Sequence, residues 1–155
     1  MPASSSSGPD AATGEAALVG PAAPGGAAGA GVAPVVRRRV RALRGATTVD
    51  EDSGAQVSER TQALLRAMLD RNGVKHADII SVLFTATDDI HSMFPATAAR
   101  AIGFGDVPLL CARELDIEGS QPRCIRVMMH LETTREQLHH IYLEGARGLR
   151  DDLPE

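Results

Sequence analysis

Apolar positions are spaced unevenly along this chain, and the spacing changes character several times. From Val35 to Ala46, Val and Leu are interspersed with arginines, which predicts a first strand with the arginines on its solvent face. The polar stretch from Thr47 to Gly54 reads as a connection. Leu64, Leu65, Met68 and Leu69 then recur at helical spacing, predicting a helix from Ser58 to Asn72 that Asn72-Gly73 brings to a stop. Ile79 to Thr87 is a run of Ile, Val, Leu, Phe and Thr, the composition of a buried strand, ended by Asp88-Asp89. Pro95 suits the first turn of a short helix from Ala96 to Ile102, closed by Gly103-Phe104-Gly105. Two more strands are expected, Val107 to Leu115 and Arg123 to Glu132, around a turn at residues 118–122. A connection at residues 133–137 leads to a short strand around His140 to Leu143.

Strands and helices therefore mix. The crossovers are long enough for parallel pairing and one pair of strands is expected to be antiparallel, so the fold class is α+β: a mixed β-sheet packed with helices on one face. Residues 1–35 stand apart, being almost entirely Ala, Gly, Pro and Ser with no aromatic residue and no β-branched cluster. Such a segment cannot bury enough apolar surface to offset ~1–2 kcal/mol of backbone entropy per residue, and disorder is expected there. That leaves residues 36–155 as one domain, with a flexible C-terminal end expected from about residue 148.

Composition narrows the partners. The 155 residues carry 16 Lys and Arg against 20 Asp and Glu, a net charge of −4, which gives no reason to expect nucleic acid or an anionic membrane. The run Arg37-Arg38-Arg39-Val40-Arg41 has no interleaved aromatics and reads as a solvated, charged start to the first strand. No stretch approaches the roughly 20 apolar residues of a membrane helix, and Ala16-Ala17-Leu18-Val19 is broken at once by Gly20-Pro21, so a cytoplasmic protein is expected. Cys111 and Cys124, both in apolar runs, are expected as reduced core thiols. His139 and His140 are adjacent and would point to opposite faces of a strand, which disfavours a metal site. With no Trp, one Tyr and three Phe, the core must be aliphatic, and a small domain so built gains burial by oligomerising.

The chemistry lies in charges set within apolar runs. Arg44 and Arg126 occupy strand-like segments, where an unpaired buried guanidinium costs several kcal/mol. With Glu114 and Tyr142, they lie at or near the ends of separate strands. Neighbouring strands would bring the four together as an anion-binding pocket, or pair them structurally, Arg126 with Glu114.

Taken together, several segments resemble one family: Arg44-Gly45-Ala46-Thr47-Thr48; Ala86 to His91 leading to Phe94-Pro95-Ala96; Cys111 to Asp116; Cys124-Ile125-Arg126-Val127-Met128-Met129; and Ile141-Tyr142-Leu143-Glu144. From about Val40 to Leu153 the chain is similar to the monofunctional bacterial chorismate mutases of the trimeric, α/β-barrel-like class. The resemblance implies a homotrimer with active sites at subunit interfaces, chorismate as substrate, prephenate as product, a place in phenylalanine and tyrosine biosynthesis, and no cofactor or metal. It implies a catalytic set of Arg126, Glu114 and Arg44. Arg126 would face the ether oxygen and a carboxylate, and Arg44, oriented by Tyr142, a carboxylate. The segment Leu110, Cys111, Ala112, Arg113 and Glu114 would meet the ring hydroxyl. Phe94, Ala96 and Arg100 would form a wall supplied by the adjacent subunit, and Leu149-Arg150 a mobile flap. Thr97 stands where some relatives carry a lysine, which would weaken long-range attraction of a dianion. Two rivals are a trimeric imine/enamine deaminase of similar architecture and a noncatalytic binder of a shikimate-pathway metabolite. The deaminase pattern does not match these segments, and the complete set of Arg44, Glu114, Arg126 and Tyr142 disfavours a noncatalytic binder.

Overall fold

The computed structural model describes residues 36–150; the Ala/Gly-rich segment and the last five residues, with the expectations attached to them, lie outside the described residues. In chain order the elements are β1 (Arg39–Thr48), α1 (Gly54–Asn72), β2 (Ile79–Ala86), α2 (Pro95–Arg100), β3 (Leu109–Arg113), β4 (Cys124–Thr133) and β5 (Ile141–Tyr142). Short 3₁₀ turns cover His76–Asp78, Phe104–Asp106 and Glu144–Arg150.

The strands form one sheet in the order β3-β2-β4-β1-β5. β4 is antiparallel to both β1 and β2, while β3 and β5 join the two sides in parallel, so the sheet is mixed as expected. Several strand boundaries differ by one to four residues from the sequence pattern, two of them at residues that matter to the site. Thr47 and Thr48 belong to β1 because they pair with Ile125 and Cys124, and both are buried. Glu114 falls just past β3, although its N–H still donates to the Ala86 carbonyl at 3.0 Å.

α1 begins earlier than its apolar spacing alone indicates, because Ser53 caps it by accepting the Gln56 N–H at 3.3 Å. Its stripe of Val57, Thr61, Leu64, Leu65, Met68 and Asn72 is buried, and Gly73 at φ 57° ends it in the left-handed region that glycine adopts at little cost. The stripe packs on one sheet face with Leu43, Val82, Phe84, Val127, Met129 and Leu131 in an aliphatic core. Each such side chain contributes roughly 1.5–3 kcal/mol of burial. At Gly45 a Cβ would lie 2.5 Å from the Met68 Sδ, so the absent side chain lets α1 close onto β1 beside Arg44.

Strand alternation sends the other residues to the opposite face, which no α-helix covers and on which only the Glu144–Arg150 turn rests, at its Ala46 end. Among them are Val40, Leu83 and Leu110, exposed to 61%, 38% and 59%, an apolar content that a lone sheet face in water would not favour. The arginines of β1 divide between the faces: Arg44 is on the open side, while Arg39 and Arg41 share the parity of Leu43, against the expectation of a single solvent face.

Candidate active site

Register fixes where the charged residues meet. Ala112 of β3 is opposite Thr85 of β2, Thr85 opposite Arg126 of β4, Arg126 opposite Ala46 of β1, and Ala46 opposite Tyr142 of β5. All five lie in one row across the open face. Arg44 stands two residues along β1 from Ala46, on the same side and in mid-strand, not near a strand end as expected. Glu114, two residues beyond Ala112, completes the group.

At the centre Arg126 pairs through Nη1 with Glu114 Oε2, while the Thr85 hydroxyl donates to Glu114 Oε1. Both carboxylate oxygens are thus engaged, in a pair whose side chains are only 26% and 12% exposed. Burial pushes the Arg126 guanidinium's pKa down from its usual value, and the nearby Arg44 charge adds to this, with Tyr142 opposing. Among the described residues no carboxylate lies within ion-pair distance of Arg44. The Tyr142 hydroxyl is buried without a hydrogen-bond partner. The Glu114 carboxylate is thus taken up by Arg126 and Thr85, which leaves the Arg44 guanidinium and the Tyr142 phenol, among the described residues, without an ionic or hydrogen-bond partner of their own.

A second tier holds this face in shape. The Arg44 N–H donates to His140 Nδ1 at 3.1 Å, and burial followed by the charges of Arg44 and Arg150 pushes the His140 pKa down. His139, its neighbour, is clamped by the buried Asn72, whose amide accepts the His139 N–H at 2.7 Å and donates to the His139 carbonyl at 2.9 Å. Arg60 bridges Asp50 at 2.9 Å and Glu144 at 2.5 Å, tying α1 to the turn that carries Leu149 and Arg150. In that turn Leu149 packs on a small cluster of Ala46, Cys124 and Ala146. Residues 148–150 form the end of the same 3₁₀ turn.

The other expected residues lie at the β3 end of the row through Arg126 or beyond it. A cavity of about 420 Å³ at the end of β2 and β3 is lined by Phe94, Cys111, Ala112 and Arg113, with Thr85 reaching it from the row above. Cys111 packs against the core from the face opposite Glu114, and Arg113 pairs with Asp88 at 2.6 Å. Phe94 is 71% exposed, and Arg100 is exposed at the end of α2. Ala96 is 5% exposed and packs in the core of its own chain, beside Pro95 on α2. The Cys124 thiol, pushed up to about 11 by burial and the Asp89 charge, is a poor nucleophile. Sequence reading missed Thr85 and Asn72. Each is a polar residue within an apolar pattern, the one signal that pointed to them.

Fold and site together define a class: an α+β domain with a mixed five-stranded sheet and two guanidiniums, Arg44 and Arg126, set side by side on the face that no α-helix covers. The profile of the family described as chorismate mutase type I matches residues 40–153. The chain is 40% identical over 117 residues to the chorismate mutase AroH of Bacillus subtilis, covering 74% of this chain and 92% of that protein. It is 45% identical over 117 residues to chorismate mutase AroH of Thermus thermophilus, covering 74% and 96%. A solved chorismate mutase from Clostridium thermocellum superposes with a TM-score of 0.68 at 44% identity, covering 70% of this chain and 98% of that one. The chain belongs to the chorismate mutase type I family.

Proposed function

We infer that this chain is an isomerase converting chorismate to prephenate, and that the open sheet face is half of its active site. The reaction is a [3,3] shift: the ether C–O bond breaks as a C–C bond forms, three electron pairs move around a six-membered ring, and no proton is transferred. The enzyme's tasks are to hold the folded dianion and to stabilise charge growing on the ether oxygen. Holding it is an orientation effect, worth up to ~7–11 kcal/mol in ideal intramolecular cases. The observation that carries the reading is the Thr85–Glu114–Arg126 chain, which sets a guanidinium in place before any ligand arrives. One such donor typically contributes ~3–4 kcal/mol in the transition state. Arg44, without a carboxylate partner, is assigned to a substrate carboxylate, and Tyr142 to its orientation.

The active unit is proposed as a homotrimer with sites between subunits. Support comes from the apolar open face, which carries exposed Val40, Leu83 and Leu110, and from the exposure of Phe94 and Arg100, which leaves both free to meet a neighbouring chain. A cytoplasmic setting fits two free cysteines, and no described helix is long and apolar enough to cross a membrane.

Loss of chorismate absorbance, with prephenate identified as product, tests the activity directly. Arg126→Gln should lower kcat by roughly 10²–10³ with a smaller change in KM, because charge reaches the ether oxygen only as the bond breaks. Arg126→Lys should recover only part of the rate, since a point charge lacks the guanidinium's fork. Unchanged kcat with raised KM would make Arg126 a binding group only.

A further inference from the structure

The far end of the sheet carries a second set of arginines that the reaction does not use. Arg39 and Arg41, alternate residues of β1, face one side, and Arg37 continues the spacing just before the strand. Together with Arg135, from the segment after β4, they line a cavity of about 260 Å³. Register places this cavity at the start of β1 and the end of β4, where Arg39 is opposite Thr133, away from the row through Arg126.

Arg38, whose parity is opposite, shows what a satisfied arginine looks like here. It pairs with Asp78, approaches Glu132 at 3.8 Å, and donates to the Glu132 carbonyl at 2.8 Å. Among the described residues, no carboxylate lies within ion-pair distance of Arg37, Arg39, Arg41 or Arg135. The one acidic residue lining the cavity, Glu136, is not in an ion pair either. The Arg41 Nε is buried with no hydrogen-bond partner. Arg135 is set from the other side: its N–H donates to the Thr133 hydroxyl at 3.1 Å, and its guanidinium lies where a Cβ on Gly73 would come within 2.8 Å of Nη2.

We propose that this cavity is a second anion site, shaped for a small polyanion with phosphate-type charge, such as the diphosphate group of a nucleotide. Four guanidiniums against one carboxylate exceed what a single carboxylate ligand can satisfy, and guanidinium forks match phosphate oxygens in pairs. An aromatic amino acid does not fit. Its ring would need an apolar slot, and among the described residues Val36 is the sole large apolar one in the lining.

Inorganic pyrophosphate, titrated calorimetrically into the full chain at low ionic strength, is the probe. Wild type and Arg126→Gln should bind it with equal affinity, because the second site does not involve Arg126. The triple variant Arg37→Gln/Arg39→Gln/Arg135→Gln should bind at least tenfold more weakly while keeping kcat and melting temperature. The single variant Arg135→Gln, expected to lose about threefold, carries the test if the triple variant fails to fold. Loss of binding in Arg126→Gln, or unchanged binding in the arginine variants, would overturn the site. Citrate binding more tightly than pyrophosphate would overturn its phosphate preference.

Discussion

Arg44 acts on its surroundings twice, through its side-chain charge and through its backbone. The charge bears on both Arg126 and His140, while the N–H is held by His140 Nδ1. That hydrogen bond requires the ring nitrogen to be bare, so a proton there would break the bond and add a cation beside Arg44 and Arg150. Burial and those two charges accordingly keep the His140 pKa below its ordinary 6.5. The sign of the linkage follows. Above about pH 6.5 the imidazole is neutral folded and unfolded, and its contribution is fully present. As pH falls below that value the unfolded chain takes the proton first, and stability is lost until the folded value is passed. NMR titration should place the His140 midpoint below 6.5, and Arg44→Ala should move it upward. A midpoint above 6.5 would mean that the Arg44 backbone contact does not hold the ring neutral.

Among the elements, β5 depends most on others, with two residues and one partner strand. Asn72, at the last turn of α1, compensates by bonding both backbone groups of His139, and its amide also donates to the Met68 carbonyl at 3.0 Å. Removing that amide leaves buried groups unmet, at ~1–3 kcal/mol each. Asn72→Ala should therefore lower unfolding free energy by about 2–3 kcal/mol in denaturant titration, and should depress activity because His140, Arg44 and Tyr142 follow from the same clamp. A loss below about 0.5 kcal/mol would mean that water replaces the amide.

The same elements show what the chain made legible. α1 was readable because Leu64, Leu65, Met68 and Leu69 repeat at its period, yet its first turn was not, since Ser53 capping is a local hydrogen bond without periodicity. Arg44, Arg126 and Glu114 stood out as charges in apolar runs. Thr85 and Asn72 did not, because their partners lie 29 and 67 residues away and become neighbours only through strand order. Likewise, arginines at both odd and even positions of β1 hid which face each would take.

At the scale of the whole molecule, the residues proposed for the site fall into two groups. Arg44, Arg126, Glu114 and Tyr142 share the open face, whereas Phe94 stands exposed beside the cavity at the end of β2 and β3. Arg100 projects from the end of α2, and no described ion pair claims it. If the working site joins one group to the other group of a neighbour, Arg44 and Arg100 in that site come from different chains. An Arg44→Ala chain and an Arg100→Ala chain should each be nearly inactive alone. In a cyclic trimer assembled at random from equal amounts, about a quarter of the interfaces join an intact Arg44 to an intact Arg100. Mixing should thus restore about a quarter of wild-type turnover, with an equal share of interfaces lacking both residues. Native mass spectrometry must show the mixed trimers for the number to count. Mixed trimers with no recovered turnover would place both arginines in a site built by a single chain, and the apolar open face would then need another explanation.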